Sequence, residues 1–252
     1  SLYESRSGER GIFSRAASKK QAEKFGRRDP DHDFGTNPCS EIILRSREFC
    51  NLTEVVVRGD DTPESLKRKV KLASILGTFQ SSLTNFKYLS KKWTENCEEE
   101  RLLGVSLTGI MDNEYTNGTT LGVDLGIMLE ELRSEAVKTN KLWAAKLNIP
   151  VSAAITCVKP SGTVSQLVDS ASGIHARHSP YYIRTVRADK KDPLALMMKD
   201  MGFPVEDDVT KPQHTYVFSF PQKSPDHAIF RKDLTAIEQL ELWLTYQRHW
   251  CE

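Results

Sequence analysis

The sequence predicts an α/β fold, and three observations carry that reading. Short runs of β-branched or small residues recur at Glu54–Arg58, Gly104–Met111 and Ala153–Val158. Between them lie longer stretches whose apolar residues repeat every three or four positions, the period of a helix with one buried face. Cap and stop signals fall at the junctions, as at Thr62-Pro63-Glu64 and Asn148-Ile149-Pro150. Strand, helix, strand, helix in alternation is the pattern of a sheet covered by helices.

Taken in order, residues 1–33 are polar. Gly8 to Phe13 reads as a turn entering a short strand, Arg15 to Phe25 as a short basic helix with a solvated face, and Asp29 to Asp33 as a loop. Glu54–Arg58 reads as a buried strand ended by Gly59-Asp60-Asp61. Thr62 supplies an N-cap hydroxyl, Pro63 a first-turn proline and Glu64 a charge favoured by the helix dipole. The helix that follows carries Leu66, Val70, Ala73, Leu76, Phe79, Leu83 and Phe86 as one stripe, expected to pack on a sheet. Lys67, Arg68, Lys69 and Lys71 crowd its start against the dipole, and nothing in the sequence explains them.

A second helix is expected over Lys91–Leu103, with Cys97 in a structural role, then a small-residue strand over Gly104–Met111. A long helix over Val123–Leu147 has Leu125, Leu129, Leu132, Ala136, Trp143 and Leu147 on its apolar face, and Asn148-Ile149-Pro150 stops it. Ala153–Val158 reads as a strand. In the last third, Asp192–Met201 is a short helix ended by Gly202-Phe203-Pro204, and Tyr216–Phe220 is a strand closed by Pro221. Thr235–Trp250 is an amphipathic helix bearing Ile237, Leu240 and Leu244.

The chain has 252 residues, 38% hydrophobic and 27% charged, with a formal net charge of +1. That is an ordinary globular composition, and its balance of charge argues against duplex nucleic acid or an anionic membrane as partner. No apolar run reaches the ~18 residues of a membrane span, and the N-terminus lacks a signal core. The cysteines, at 39, 50, 97, 157 and 251, are odd in number and without CxxC spacing. They argue for a reducing, cytoplasmic setting and against a disulfide scaffold or a zinc site. Beginning at Ser and ending inside a helical pattern, the sequence is expected to be a piece of a longer protein.

The chemistry concentrates in Asn37-Pro38-Cys39-Ser40-Glu41, with Cys50 eleven positions after Cys39. If the backbone there is extended, Asn37, Cys39 and Glu41 project from one face. A carboxylate beside a thiol raises the thiol pKa and suits a cysteine nucleophile poorly. A neutral thiol that exchanges a hydrogen atom tolerates the carboxylate, which then manages a hydroxyl proton while the amide orients a polyol. On residue types alone, a buried cysteine near a hairpin, with Glu41 merely solvated, accounts for the stretch as well.

Further on, Ala153–Val158 feeds Lys159-Pro160-Ser161-Gly162-Thr163-Val164. A strand entering a small-residue turn and then a helix suits an anion, although the spacing is not that of a Walker A loop and a plain N-capped helix fits equally. His175 and His178 stand three apart without thiol or carboxylate at ligand spacing, which argues against a metal. Arg177, Arg184 and Arg187 are placed to meet phosphate oxygens or acidic neighbours. Tyr181-Tyr182 reads as packing.

Asn37-Pro38-Cys39-Ser40-Glu41-Ile42, followed by Cys50-Asn51-Leu52, resembles the finger-loop motif of ribonucleotide reductase large subunits. The cysteine spacing and the preceding Phe34-Gly35-Thr36 most resemble the adenosylcobalamin-dependent (class II) enzymes. The resemblance implies the second half of a ten-stranded α/β barrel around a central finger loop that carries the catalytic cysteine. Residues 1–252 would form one partial catalytic barrel domain, with the finger loop at about 34–50 and a phosphate-binding turn at about 160–166. It makes Cys39 the transient thiyl radical, Glu41 the base for the 3′-hydroxyl, and Asn37 the hydrogen-bonding partner of the ribose hydroxyls. Cys50 becomes half of the reducing dithiol, its partner lying upstream of this sequence.

Ser161, Gly162, Thr163 and Val164 would hold the substrate phosphates. The implied reaction reduces a ribonucleoside tri- or diphosphate to the 2′-deoxyribonucleotide with adenosylcobalamin and thioredoxin or a similar dithiol, and nucleotide effectors would act through upstream sequence. On this reading the segment alone does not turn over. Two alternatives remain: a class I-type subunit that takes its radical from a partner subunit, and a non-catalytic nucleotide-binding module.

Overall fold

The computed structural model describes residues 2–6 and 11–252. The turn expected from Gly8 to Arg10 lies outside the described residues, and Gly11–Phe13 form no strand. The chain opens with α1 (Leu2–Ser5) and α2 (Arg15–Glu23), the latter capped by the Ser14 side chain accepting from the Ala17 N–H. A short hairpin follows, β1 (Phe34–Thr36) antiparallel to β2 (Ile43–Arg45).

The centre is a parallel sheet of β3 (Asn51–Val56), β4 (Leu103–Thr108) and β5 (Thr156–Cys157), in that spatial order. All six residues of β4 are buried, as expected of the middle strand of a parallel sheet covered on both faces. Helices α3 (Pro63–Ser81), α4 (Lys91–Glu100) and α5 (Leu125–Leu147) form the crossovers. The core joins Val55, Val57, Leu66, Val70, Leu103, Val105, Leu107, Leu129, Leu132 and Ile155 with Tyr246 and Trp250. The end of the chain lies along the open edge of β5: Glu252 N–H donates to Thr156 O at 3.0 Å and Trp250 Nε1 to Cys157 O at 2.7 Å.

Beyond it come α6 (Thr163–Leu167) and an antiparallel sheet with β8 (Thr215–Lys223) between β6 (Tyr181–Asp189) and β7 (Val205–Asp207). This sheet has its own small core of Ala195, Tyr216 and Phe218, built with α7 (Pro193–Asp200). The last helix is α8 (Ala236–His249), opened by a capping box between Thr235 and Glu238.

The α/β alternation is as expected, with local differences. The stripe on α3 divides: Leu66, Val70 and Ala73 are buried, but Leu76, Phe79 and Leu83 are exposed and the helix ends at Ser81. Its buried face continues instead through Ser74, Gly77, Thr78 and Ser81. Small residues there allow close approach, and a Cβ on Gly77 would already touch Leu103 at 3.4 Å. Ser74 Oγ and Thr78 Oγ1 satisfy themselves by donating to carbonyls four residues back, at 2.8 and 2.7 Å. Of the basic cluster at its start, Lys69 donates to Asp61 Oδ2 at 2.5 Å and to Val56 O at 3.0 Å, which accounts for one of the four.

Helix α4 stops three residues earlier than its apolar pattern suggests because Arg101 takes a left-handed cap, φ 46°. On α8 the expected face is turned outward: Ile237, Leu240 and Leu244 are exposed while Tyr246 and Trp250 are buried. Strand β8 runs through Pro221 rather than ending there. Its second neighbour, β7, pairs only with Tyr216–Phe218, so Pro221 sits where β8 is an edge and no N–H is wanted on that side.

Candidate active site

The hairpin of β1 and β2 is held at its base by buried charge. Arg28 donates from Nε to Glu100 Oε1 at 3.0 Å, from a terminal nitrogen to Glu100 Oε2 at 2.6 Å, and to the Ile43 carbonyl at 2.8 Å. Glu48 accepts the Arg45 N–H at 2.9 Å and faces both guanidinium groups at 3.4 Å. Arg45 also donates to the Asn96 carbonyl at 3.0 Å and to Glu99 Oε2 at 3.0 Å. Burial, followed by the neighbouring charge of Glu100, pushes the Glu48 carboxyl up to about 8. Arg28 stacks over Phe34 at 4.7 Å, which fixes the direction in which the hairpin leaves the body.

At the other end the chain turns over Asn37–Ile42 rather than running extended. Ser40 N–H donates to Asn37 O at 3.0 Å, and Ser40 adopts a left-handed conformation at φ 65°. The Asn37 side-chain oxygen accepts the Ile42 N–H at 3.0 Å, so the amide braces the turn it belongs to. The alternate-face argument therefore fails at the backbone. The turn nevertheless brings Cys39 and Glu41 onto one cavity of about 400 Å³, lined also by Ser40, Lys159, Pro160, His175, Trp243 and Cys251. That is the scale of a nucleotide site. Asn37 is not among the residues lining it.

Cys39 is exposed at this cavity, and Glu41 is its opposite, with a side chain only 3% exposed. Glu41 Oε1 accepts from Lys159 Nζ at 2.9 Å, while Oε2 is buried and has no partner among the described residues. The hydrogen bond to Glu41 raises the Lys159 pKa, so the ammonium keeps its charge. Lys159 is placed by its backbone: its N–H donates to Ser106 Oγ of β4 at 2.8 Å, and Gly173 at φ 53° packs against its carbonyl, where a Cβ would come within 2.8 Å. Only glycine permits that approach at a positive φ.

Cys50 is half-buried just before β3 and does not line the same cavity as Cys39. It opens with Phe49, Asn51 and Cys97 onto a second hollow. Burial first, then the charge of Glu41, pushes its thiol up. Burial also pushes Cys251 up to about 12, so both of these sulfurs stay protonated.

The bend after β5 adjoins the cavity through Lys159 and Pro160. Ser161 is buried, and its hydroxyl accepts the Ser165 N–H at 3.1 Å, whereas Gly162, Thr163 and Val164 are exposed. Of the basic residues, Arg177 meets acids rather than solvent, donating to Asp112 at 2.7 and 3.0 Å and to Asp169 at 3.1 Å. Arg187 pairs with Asp208 at 2.7 Å. His175 faces the cavity, with Nδ1 3.0 Å from Ser172 O.

Among the described residues no group of three or more His, Cys, Asp or Glu could hold a metal, and no helix is long and apolar enough to cross a membrane. The residues that sequence reasoning did not single out are Lys159, Trp243 and Cys251. For Lys159 one signal was present: a carboxylate buried beside an apolar run needs a cation, and Lys159 heads the bend expected to share its cavity.

No family model matches the chain. It is 30% identical over 222 residues to the adenosylcobalamin-dependent ribonucleoside-triphosphate reductase of Euglena gracilis, covering 87% of this chain and 29% of the relative. It is 29% identical over 267 residues to the enzyme of that name from Lacticaseibacillus paracasei, covering 95% of this chain and 34% of the relative. A crystal structure of a B12-dependent (class II) ribonucleotide reductase superposes with a TM-score of 0.71 at 26% identity, over 86% of this chain and 34% of that one. The chain thus spans about a third of the length of the proteins it matches. In sequence and in fold it is a homologue of a segment of the adenosylcobalamin-dependent (class II) ribonucleotide reductases.

Proposed function

We propose that this chain forms the radical-bearing part of the active site of a reductase that converts ribonucleoside triphosphates to 2′-deoxyribonucleotides. On this reading its helices and parallel strands belong to the second half of a ten-stranded α/β barrel, with the 34–50 segment as the finger loop inside it. One observation carries the proposal: an exposed thiol, Cys39, shares a cavity with a buried carboxylate, Glu41, that has one oxygen unclaimed. The triphosphate is taken from the names of the relatives.

The cavity is too small for a corrinoid, so the fit of adenosylcobalamin rests on the exposed rim, where Cys39, His175 and Trp243 would face it. When bound, that cofactor supplies the radical that takes the hydrogen atom from Cys39 Sγ. The Cys39 sulfur then removes the hydrogen from the 3′-carbon of the ribose, regaining its S–H bond and leaving the radical on the sugar. Glu41 Oε2 accepts the 3′-hydroxyl proton, general-base chemistry that requires it within hydrogen-bond reach. The 2′-hydroxyl leaves as water. Cys50 and a second thiol supply the proton that completes the water and the hydrogen that replaces the hydroxyl at the 2′-carbon, two protons and two electrons in all, and become a disulfide, which an external dithiol of the thioredoxin kind reduces. Glu41 returns its proton to the 3′-oxygen and Cys39 Sγ returns a hydrogen atom to the 3′-carbon, which ends the sugar radical. The exposed bend at Gly162, Thr163 and Val164, with Ser161 bracing it from beneath, receives the phosphates. Asn37 meets the ribose hydroxyls through its amide nitrogen, its oxygen being taken by the Ile42 N–H.

The test uses a full-length reductase that contains this segment. Cys39→Ser abolishes deoxynucleotide formation, and Cys50→Ser still forms the radical but does not turn over repeatedly with a dithiol. Normal dithiol-driven turnover by the Cys39→Ser protein would overturn the proposal.

A further inference from the structure

Among the described residues, Lys159 is the one cation that touches the cavity's buried carboxylate, and nothing in the scheme above uses it. Its backbone is clamped between Ser106 and Gly173, and its ammonium reaches one oxygen of Glu41 at 2.9 Å. The other oxygen, buried in a side chain 3% exposed, has no protein donor. A carboxylate at this depth carries a desolvation penalty unless it is paired, and Glu41, which lines the cavity, keeps one acceptor that no described residue fills. The pairing also makes the two oxygens inequivalent. Oε1 is committed to an ammonium that holds its proton, so a proton arriving from a ligand has only Oε2 to go to.

We infer that Lys159 is a positioning residue for the base. It fixes the Glu41 carboxylate at the mouth of the 160–164 bend, keeps Oε1 occupied, and so presents Oε2 to the sugar hydroxyl. The inference rests on Glu41 being the base. Lys159 acts through that residue and not as a phosphate ligand, because its nitrogen is spent on the carboxylate. A full positive charge beside Cys39 would favour thiolate over the thiol that hydrogen-atom transfer needs. Pairing with Glu41 cancels that charge at the sulfur's own cavity.

The experiment compares Lys159→Met, Lys159→Arg and Glu41→Gln in the full-length reductase, with kcat and KM measured under turnover. Nucleotide affinity is measured separately by equilibrium dialysis in the absence of cofactor. General-base contributions run from about 10² to 10⁴ in rate, so Glu41→Gln loses about that much. Lys159→Met loses at least about tenfold in kcat while nucleotide affinity stays within about threefold, and Lys159→Arg recovers most of the loss. In the double variant the Lys159 effect vanishes, because the carboxylate it positions is gone.

A Lys159→Met protein with unchanged kcat beside an inactive Glu41→Gln overturns this inference and leaves the base assignment standing. A fully active Glu41→Gln overturns the base assignment itself, and this inference with it. A Lys159→Met protein whose affinity falls as far as its kcat makes the lysine a substrate contact and overturns the positioning role. Should Lys159→Met not fold, Lys159→Gln, which keeps a polar end without charge, takes its place under the same criteria.

Discussion

The two ends of the hairpin at residues 34–45 handle buried charge in opposite ways. At the base, Arg28, Arg45, Glu48 and Glu100 satisfy one another almost completely, with backbone carbonyls of Ile43 and Asn96 taking further donors. At the tip, Glu41 has one partner, Lys159, and an oxygen with none. The network at the base is costly to desolvate and returns mainly orientation, since guanidinium–carboxylate pairs tolerate few geometries. The tip is left incomplete, and on the proposed reading the missing partner is the substrate hydroxyl. A polar group short of partners can be held in place when the strands that lead to it are fixed elsewhere.

The comparison can be broken most sharply at Arg28. Replacing it by Met leaves Glu48 and Glu100 buried with only Arg45 to answer them. Removing one member of a buried network of this kind costs about 3–5 kcal/mol, and Arg45 keeps the expected loss near the lower figure. Native-state hydrogen exchange on the full-length protein reads it as a fall in the opening free energy of the hairpin amides. Lys159→Met strands a single buried carboxylate, Glu41, where Arg28→Met strands two, and is expected to move the same amides by less. Equal effects from the two changes would abolish the distinction between base and tip.

A second test uses the pH dependence of the base. The Glu48 carboxyl, enclosed with Glu100, Arg28 and Arg45, sits at about 8 when folded against 4.5 for the free side chain. A folded-state pKa above the unfolded one means the unfolded chain loses its proton first. The contribution is therefore fully present below about 4.5 and is lost as pH rises towards about 8. The slope is at most about 1.4 kcal/mol per pH unit. Glu48→Gln cannot titrate, so its stability relative to the parent rises from pH 5 to pH 8. A difference that is flat with pH would show Glu48 ionised in the folded hairpin.

How far the sequence displays all this depends on whether a feature is local. The cap at Thr62, the stop at Asn148 and the period of α5 are properties of neighbouring residues, and they read directly. The exposed side of α8 does not: Ile237, Leu240 and Leu244 form as good a stripe as the buried one, and only packing against α5 chooses between them. The same holds for α3, where closeness to β4 at Gly77 and to α5 at Thr78 selects small residues over larger neighbours. At the site, Cys39 and Glu41 are legible from residue type, but their shared cavity is not made by alternation along a strand. It comes from a turn that the Asn37 side chain closes, and from Lys159, 118 positions away in the chain. Long-range pairing leaves no spacing to read.

The smallest expected effect lies in that turn. Ser40 holds a positive φ of 65°, a region that costs an L-residue roughly 1–2 kcal/mol and a glycine nothing. Ser40→Gly relieves the strain but loosens the unfolded chain by about 0.4–1 kcal/mol. The strain term is the larger of the two, and opening the hairpin is expected to become harder by roughly 0.5–1 kcal/mol. Ser40→Val has no such compensation, because a branched Cβ crowds the backbone at this φ, and it should cost at least about 1 kcal/mol more than glycine. The gap between the two variants isolates the backbone conformation from the Ser40 hydroxyl, whose contact with Thr36 Oγ1 at 3.4 Å both variants lose. If valine were as stable as glycine, the tip would not be in this turn. Glu41 would then owe its place beside Cys39 to Lys159 alone.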